Sequence, residues 1–143
     1  MRIPFLFFAL SIATSMGFAQ TLDGNKASTE VLNKFQAQFP KAEQVVWKKD
    51  KEFYKVAFQT IENRYHNELW YNSDGNLQKH VEEFSNDNLS ENIKKYIARK
   101  YKNYNIDKVY RVTENSIKKY KVQIEKYDKQ MYLFFNEDGK RLK

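Results

Sequence analysis

Residues 53–75 read FYKVAFQTIENRYHNELWYNSDG, and this stretch decides the fold. Its first half alternates apolar and polar side chains, with Val56 and Phe58 on one side, a pattern typical of a half-buried strand. Its second half places three bulky residues shortly before the Asp-Gly pair at 74–75. Glycine accepts the positive φ that tight hairpin turns demand. The stretch therefore predicts two antiparallel strands and a turn into a third.

The flanking sequence extends this pattern in both directions. Upstream, Ser28 or Thr29 is placed to cap a helix that Pro40 ends, because proline cannot continue it. Downstream, Ser90 precedes a second helical stripe. The predicted elements are helices at 28–39 and 90–104 and strands at 44–49, 53–61, 65–72, 77–84, 108–113, 119–126 and 131–136, with a short last strand starting at Leu142.

The order of elements recurs along the chain. Tyr-Lys-Val occurs at 54–56 and again at 120–122, and an Asp-Gly pair follows each aromatic strand. Such recurrence is the signature of an internal repeat. It predicts an α+β fold made of two tandem helix-plus-antiparallel-strands units, at 28–85 and 86–143. These units are expected to form one sheet with both helices on one face.

The N-terminus has the pattern of a secretory signal peptide. Arg2 precedes an apolar run at 3–13, and small residues at Gly17 and Ala19 favour cleavage after residue 19. The predicted organisation is a signal peptide at 1–19, a disordered leader at 20–27 and a periplasmic or secreted product. The apolar run is too short to cross a bilayer of about 30 Å, so the product is not expected to span a membrane.

Composition narrows the possible partners and chemistries. The 143 residues contain no cysteine, which excludes thiol nucleophiles, thiolate metal sites and disulfides. The formal charge is +7. This excess fits either an ordinary solvated surface or attraction to acidic partners, namely anionic lipid, acidic glycan or acidic protein. Nucleic acid is not an expected partner of an exported protein.

No pattern for catalysis or metal binding is present in the sequence. The two histidines, His66 and His80, lie in different predicted strands and are interpreted as exposed strand residues. The adjacent Glu82 and Glu83 are expected to point to opposite faces. The Asp-Gly turns lack the additional carboxylate that a calcium loop needs. The sequence therefore predicts no catalytic residue, no metal, no cofactor and no enzyme activity.

Aromatic residues provide the remaining functional signal. Strand alternation predicts an outward face that carries rings mixed with lysines, a composition suited to binding because rings supply area and lysines attract partners. The faces of Trp47 and Tyr110 stay open. The candidate binding face consists of Trp70, Tyr132, Phe134, Lys55 and Lys121.

The motif order resembles a known family. A helix ends in Phe-Pro at 39–40, Val-x-Trp follows at 45–47, Tyr-x-Val-x-Phe at 54–58 and Asp-Gly at 74–75. This resembles the PepSY-like proteins of the bacterial envelope, in tandem form, which are also described as β-lactamase-inhibitor-like. The resemblance implies a periplasmic, non-catalytic role in protein binding or inhibition. The second unit departs from the pattern, since no proline follows its helix and Tyr110 replaces the tryptophan.

Three hypotheses of function follow. The first is a periplasmic binding or inhibitor-like module that contacts a protein or peptide through the open sheet face. The alternative is a basic envelope-surface protein that associates with anionic lipid or glycan. The third is a small cone-shaped α+β enzyme whose aromatic residues line a pocket.

Overall fold

A computed structural model describes residues 27–62 and 64–143 of the chain. The predicted signal peptide at 1–19 lies outside these residues. So does the predicted leader at 20–27, apart from Ala27, which is buried. Among the described residues, neither helix has the length and apolar character needed to cross a membrane.

Two α-helices, seven strands and a short 3-10 helix at Asn86–Asn88 make up the described chain. Each helix begins at a serine cap, because the side-chain oxygen accepts a backbone N–H of the first turn. Ser28 accepts from the Val31 N–H at 3.3 Å and Ser90 from the Ile93 N–H at 3.4 Å. The elements are α1 (Thr29–Gln38), β1 (Ala42–Asp50), β2 (Phe53–Thr60), β3 (His66–Tyr71), β4 (Leu77–Phe84), α2 (Glu91–Lys100), β5 (Asn105–Glu114), β6 (Ile117–Lys126) and β7 (Lys129–Asn136).

The strands form one antiparallel sheet in which each strand pairs with its neighbours in sequence, from β1 to β7. Tight turns join most of them. Gly75 and Gly139 adopt φ of 75° and 80° in the turns after β3 and β7, as their Asp-Gly sequences predict. The local elements follow the sequence closely, although α2 ends at Lys100 rather than continuing to Tyr104.

The predicted architecture of two tandem helix-plus-strands units is wrong. The structure is a single seven-stranded antiparallel sheet that carries two helices, with four strands after α1 and three after α2. The predicted boundary at 85/86 falls in the connection between β4 and α2. β4 pairs with β5 over six residue pairs, so hydrogen bonding crosses that boundary without a break.

The final predicted strand also differs from the structure. A fourth strand after α2 would match β4, but the segment after β7 makes only an isolated bridge between Arg141 and Phe135. The Arg141 guanidinium also bonds the Phe134 carbonyl at 3.1 Å. Residues 137–143 therefore cover part of the β7 edge without adding a strand to the sheet.

Two buried clusters lie where the helices pack on the sheet. Because alternate residues of a strand point to opposite faces, the register places the strand members of both clusters on one face, called here the helix face. The α1 core comprises Ala27, Val31, Phe35, Val56, Phe58, Leu69 and Tyr71. The α2 core comprises Leu89, Ile93, Ile97, Val109, Val122, Ile124, Leu133 and Phe135. The opposite side of the sheet is called the open face, because neither helix packs on it.

Candidate functional site

The five residues of the predicted binding face all lie on the open face. Lys55 pairs with Trp70, and Lys121 pairs with Phe134, each between neighbouring strands. Tyr132 lies two residues from Phe134 on the same strand, so its side chain points to the same side. The structure brings these residues together as two clusters, one towards each end of the sheet.

The tryptophan cluster consists of Asp50, Lys55, Trp70 and Lys79. The Lys55 and Lys79 ammonium groups lie 4.6 and 4.8 Å from the Trp70 ring centroid. The indole Nε1–H donates to Asp50 Oδ2 at 2.8 Å. An ammonium within about 6 Å of a ring centroid is attracted by the electron-rich face of the ring. The indole is therefore held in one orientation by contacts on its face and its edge.

The tyrosine cluster consists of Tyr110, Lys121, Tyr132 and Phe134. The Lys121 ammonium lies 4.2 Å from the Tyr132 centroid and 5.2 Å from that of Tyr110. Tyr132 is 48% exposed, which makes it the most accessible ring of the predicted face. Burial, followed by the charges of Glu83 and other neighbours, raises the pKa of Tyr110 to about 12. Tyr110 is therefore a neutral hydrogen-bonding group at any physiological pH.

Glu68 lies next to the tryptophan cluster. Its Oε1 is 2.8 Å from Lys55 Nζ and 3.2 Å from His66 Nε2. Burial acts to raise the pKa of Glu68, but the hydrogen bonds from Lys55 and His66, together with their charges, outweigh it and hold that pKa below its usual value. Glu68 is thus an anion at neutral pH, and it neutralises Lys55.

The middle of the open face contains buried residues although no helix covers it. Val81 and Val112 pair across β4 and β5 and are 9% and 4% exposed. Gln123 is also buried, and its amide donates to Asp107 Oδ2 at 2.8 Å. The face is therefore a packed surface and not a set of isolated side chains.

Sequence reasoning missed several members of this face. Lys79 and Glu68 follow from strand alternation, which could have identified them. The sequence left the face of Tyr110 open, and a bulge interrupts the β5 register ahead of it, between Ile106 and Lys108. The structure places Tyr110 on the open face opposite Lys121, where it completes the tyrosine cluster.

Trp47 takes the opposite side of the sheet from Tyr110. It pairs with Val56 on the helix face, and its ring packs at 5.4 Å from that of Phe35. A bulge between Glu43 and Val46 shifts the β1 register before this point. Trp47 thus belongs to the packing around the α1 core and not to the candidate site.

The two histidines lie on different faces. His66 contacts Glu68 on the open face, whereas His80 points to the helix face, where its Nε2 is 3.0 Å from Asn67 Oδ1. Burial lowers the pKa of His80, so it is more enclosed than the exposed strand residue that the sequence suggested. Within residues 27–62 and 64–143, no three His, Asp or Glu side chains are grouped to hold a metal ion.

A second feature is a basic depression of about 440 Å³ beside α2. Lys95 and Arg99 of α2 and Lys140 of the following turn contribute three cations, and Asp138 contributes one carboxylate. None of the three cations forms an ion pair with a carboxylate of the described chain. The depression is remote from the open face and has the charge expected of a weak anion-attracting surface.

Solved structures share this architecture. A protein of Bacteroides eggerthii, which its description assigns provisionally to the periplasm, matches with a TM-score of 0.71 at 17% identity, over 82% of this chain and 87% of that one. A BLIP-like protein of Bacteroides fragilis matches with a TM-score of 0.64 at 20% identity, over 82% and 84% of the two chains. The chain has a BLIP-like fold.

A third structure, a DUF2874 family protein of Bacteroides ovatus, gives a TM-score of 0.67 at 22% identity, over 84% of this chain and 87% of that one. The sequence matches no protein-family model and no curated protein. At these identities the likeness shows the fold alone, and the PepSY-like part of the resemblance stays a prediction. The description of the eggerthii protein agrees with the envelope location predicted from the sequence.

Proposed function

We propose that this BLIP-like chain is a non-catalytic binding module of the bacterial cell envelope, which holds a protein or peptide on its open face. The observation that carries the proposal is the pair of ring-and-lysine clusters on one rigid sheet. Aromatic side chains supply contact area at low entropic cost, and lysines favour encounter with a partner. Both clusters are fixed by contacts within the face, so little ordering is required on binding.

The state of the ionisable groups supports a non-catalytic role. A general acid or base works best with a pKa near the operating pH. On the open face Glu68 has a lowered pKa and Tyr110 a pKa of about 12, so each is held in one protonation state around neutrality. This arrangement suits fixed electrostatic recognition better than proton transfer.

The location and the partner class have separate support. The predicted signal peptide favours export, and the eggerthii neighbour is described as periplasmic. The fragilis neighbour is described as BLIP-like, and the sequence resembles proteins described as β-lactamase-inhibitor-like. Both observations favour a protein partner in the envelope.

The test compares ring removal on and off the face. Trp70→Ala and Phe134→Ala should each weaken capture of envelope proteins by about tenfold or more, which corresponds to about 1.4 kcal/mol or more. Tyr127→Ala is the matched control, because Tyr127 is 93% exposed in the turn between β6 and β7. The immobilised variants are compared by quantitative mass spectrometry of the proteins they retain.

Two outcomes would contradict the proposal. One is unchanged capture by both open-face variants. The other is an equal loss with Tyr127→Ala, which would indicate general stickiness of exposed rings.

The basic depression favours a second candidate function, association with anionic lipid or acidic glycan. Lys95, Arg99 and Lys140 would supply the attraction, together with the overall charge of +7. Binding to phosphatidylglycerol vesicles should then fall steeply between about 0.05 and 0.5 M salt, because exposed charges are screened. At low salt, a double variant, Lys95→Ala with Arg99→Ala, should bind these vesicles more weakly than the unchanged chain. Binding that persists at high salt would count against this candidate.

A further inference from the structure

Five carboxylates of the open face have a hydrogen-bond or ion-pair partner on the face itself, whereas Glu43 and Glu125, at its margins, have none in the described chain. A carboxylate that already accepts a hydrogen bond or faces an ammonium group gains less from a new partner than a carboxylate without one. The pairs are Glu68 with Lys55 and His66, Glu114 with Lys119, Glu83 with the His66 backbone N–H, Asp50 with the Trp70 indole, and Asp107 with the Gln123 amide.

The lysines of the same face are not engaged to the same degree. Lys55 and Lys119 have carboxylate partners at 2.8 and 3.8 Å. Lys79 and Lys121 have none within residues 27–62 and 64–143, and their amines lie over rings. An ammonium has three N–H donors. A ring satisfies one side of such a group and leaves donors free for an incoming acceptor. Lys48 and Lys108, at the margins of the face, are exposed and also lack a carboxylate partner in the described chain.

This asymmetry identifies the chemistry of the partner. We propose that the open face receives an acidic protein segment whose carboxylates pair with Lys79 and Lys121. The proposal rests on the binding function proposed above and specifies its partner. The ammonium groups of Lys79 and Lys121, held in place by rings, offer free donors to an acidic segment, whereas Glu68 and Glu114 already face lysines of this chain.

The spacing of the two lysines fits an extended chain. Lys79 and Lys121 are separated by two strand intervals across the sheet and four residues along it. Strands lie about 4.8 Å apart and rise about 3.3 Å per residue, which gives a separation of about 16 Å. About five residues of extended peptide span this distance. The segment would cross the face diagonally, over Tyr110 and the buried pair Val81 and Val112.

A protein segment fits this face better than a bilayer does. Glu114 lies opposite Lys79, Glu83 lies opposite Tyr110, and Glu68 lies on the adjoining strand β3. These carboxylates beside the lysines would repel a continuous layer of anionic headgroups. A peptide can place its carboxylates on the two lysines and neutral residues over the glutamates. The charge pattern therefore favours an occupant whose own charges are discrete.

The test uses defined peptides and charge reversal on the full chain. The probes are labelled ten-residue peptides of alternating Glu and Tyr, with alternating Gln and Tyr as the neutral counterpart. Fluorescence anisotropy at about 0.15 M salt measures binding. The acidic peptide should bind about tenfold or more tightly than the neutral one. Lys79→Glu and Lys121→Glu should each weaken it by about threefold or more.

The matched control is Lys129→Glu, which makes the same charge change at an exposed residue off the open face. Lys129→Glu should leave the affinity for the acidic peptide within about twofold of that of the unchanged chain. Its lower net charge accounts for this small loss. Lys79→Met and Lys121→Met remove the charge without reversing it. Each should therefore weaken binding of the acidic peptide less than the corresponding change to Glu. Circular dichroism checks that each variant keeps the strand content of the unchanged chain.

Each contrary outcome is specific. Three outcomes would contradict the proposal of an acidic segment. They are equal binding of the two peptides, no binding of either peptide, and equal effects of Lys79→Glu and Lys129→Glu. If Trp70→Ala then still abolishes capture of envelope proteins, the binding function stands and only the partner chemistry is wrong. If Lys79→Glu and Lys121→Glu abolish binding to phosphatidylglycerol vesicles but not to the acidic peptide, the face is a lipid surface and both proposals fail.

Discussion

The α1 core and the α2 core fill the same face of one sheet with different kinds of side chain. Under α1 the rings interlock, with the Phe58 centroid 5.2 Å from that of Phe35 and 4.7 Å from that of Phe39. Under α2 the interior is mainly aliphatic, from Ile93 to Leu133, and the tyrosines lie at its margin. A helix can therefore be held on a sheet by a few large rings or by many branched aliphatic residues.

The difference also concerns polar groups. The hydroxyl of Tyr71 is buried in the α1 core and has no hydrogen-bond partner in the described chain. Phe135 takes the corresponding place in the α2 core, since it pairs with Tyr120 as Tyr71 pairs with Tyr54. An unpaired buried hydroxyl is costly. The aromatic core thus includes a local defect that the aliphatic core lacks.

The largest expected effect comes from truncating one buried side chain in each of the two cores. Phe58 and Ile124 are both buried, each two residues beyond a buried valine of its strand. Phe58→Ala should lower the free energy of unfolding by about 3–5 kcal/mol, because it empties the centre of the ring network. Ile124→Ala should cost less than Phe58→Ala, within the range of about 2–5 kcal/mol that is typical of Ile→Ala. Urea unfolding followed by circular dichroism measures both. A greater loss with Ile124→Ala would reverse the comparison.

A smaller effect is expected from removing the hydroxyl of Tyr71 in the α1 core and from adding one to Phe135 in the α2 core. Tyr71→Phe should raise the free energy of unfolding by about 1 kcal/mol or more, because it removes the unpaired group. Phe135→Tyr should lower it by about 1–3 kcal/mol. A loss of stability in Tyr71→Phe would show that the hydroxyl has a partner after all.

Alkaline pH offers a second measurement on the same residue. Burial raises the pKa of Tyr71 to about 12 from its ordinary value of 10.0. The unfolded chain therefore releases this proton first, and stability falls as pH rises from about 10 towards 12. Tyr71→Phe should lose less stability across that range than the unchanged chain.

The smallest expected effect concerns pH near neutrality. Burial lowers the pKa of His80 below 6.5, with Glu82 opposing the shift and Arg111 adding to it. His80 is therefore neutral in the folded chain, and its contribution is present above pH 6.5 and lost as pH falls through the folded pKa. His80→Gln should flatten the acid side of the stability curve. Thr113, which pairs with His80 on β5, does not titrate there, so Thr113→Val should leave that slope unchanged.

Much of the local structure was predictable because its causes are local. The serine caps, Pro40 after α1 and the Asp-Gly turns act over two to five residues, and each appears in the structure at the expected place. Strand alternation also assigned the inward side chains of β2, β3, β6 and β7. The binding role of Trp70, Tyr132, Phe134, Lys55 and Lys121 stays a prediction.

The sequence by itself determined the caps, the turns and the alternation, since these depend on neighbours along the chain. Only the tertiary structure decided that β4 and β5 pair to make one sheet, because that depends on backbone groups about thirty residues apart. It also decided the faces of Trp47 and Tyr110, since one bulged residue reverses every side chain beyond it. Which lysines of the open face have a carboxylate partner was likewise settled by contacts between strands, and no local rule encodes these contacts.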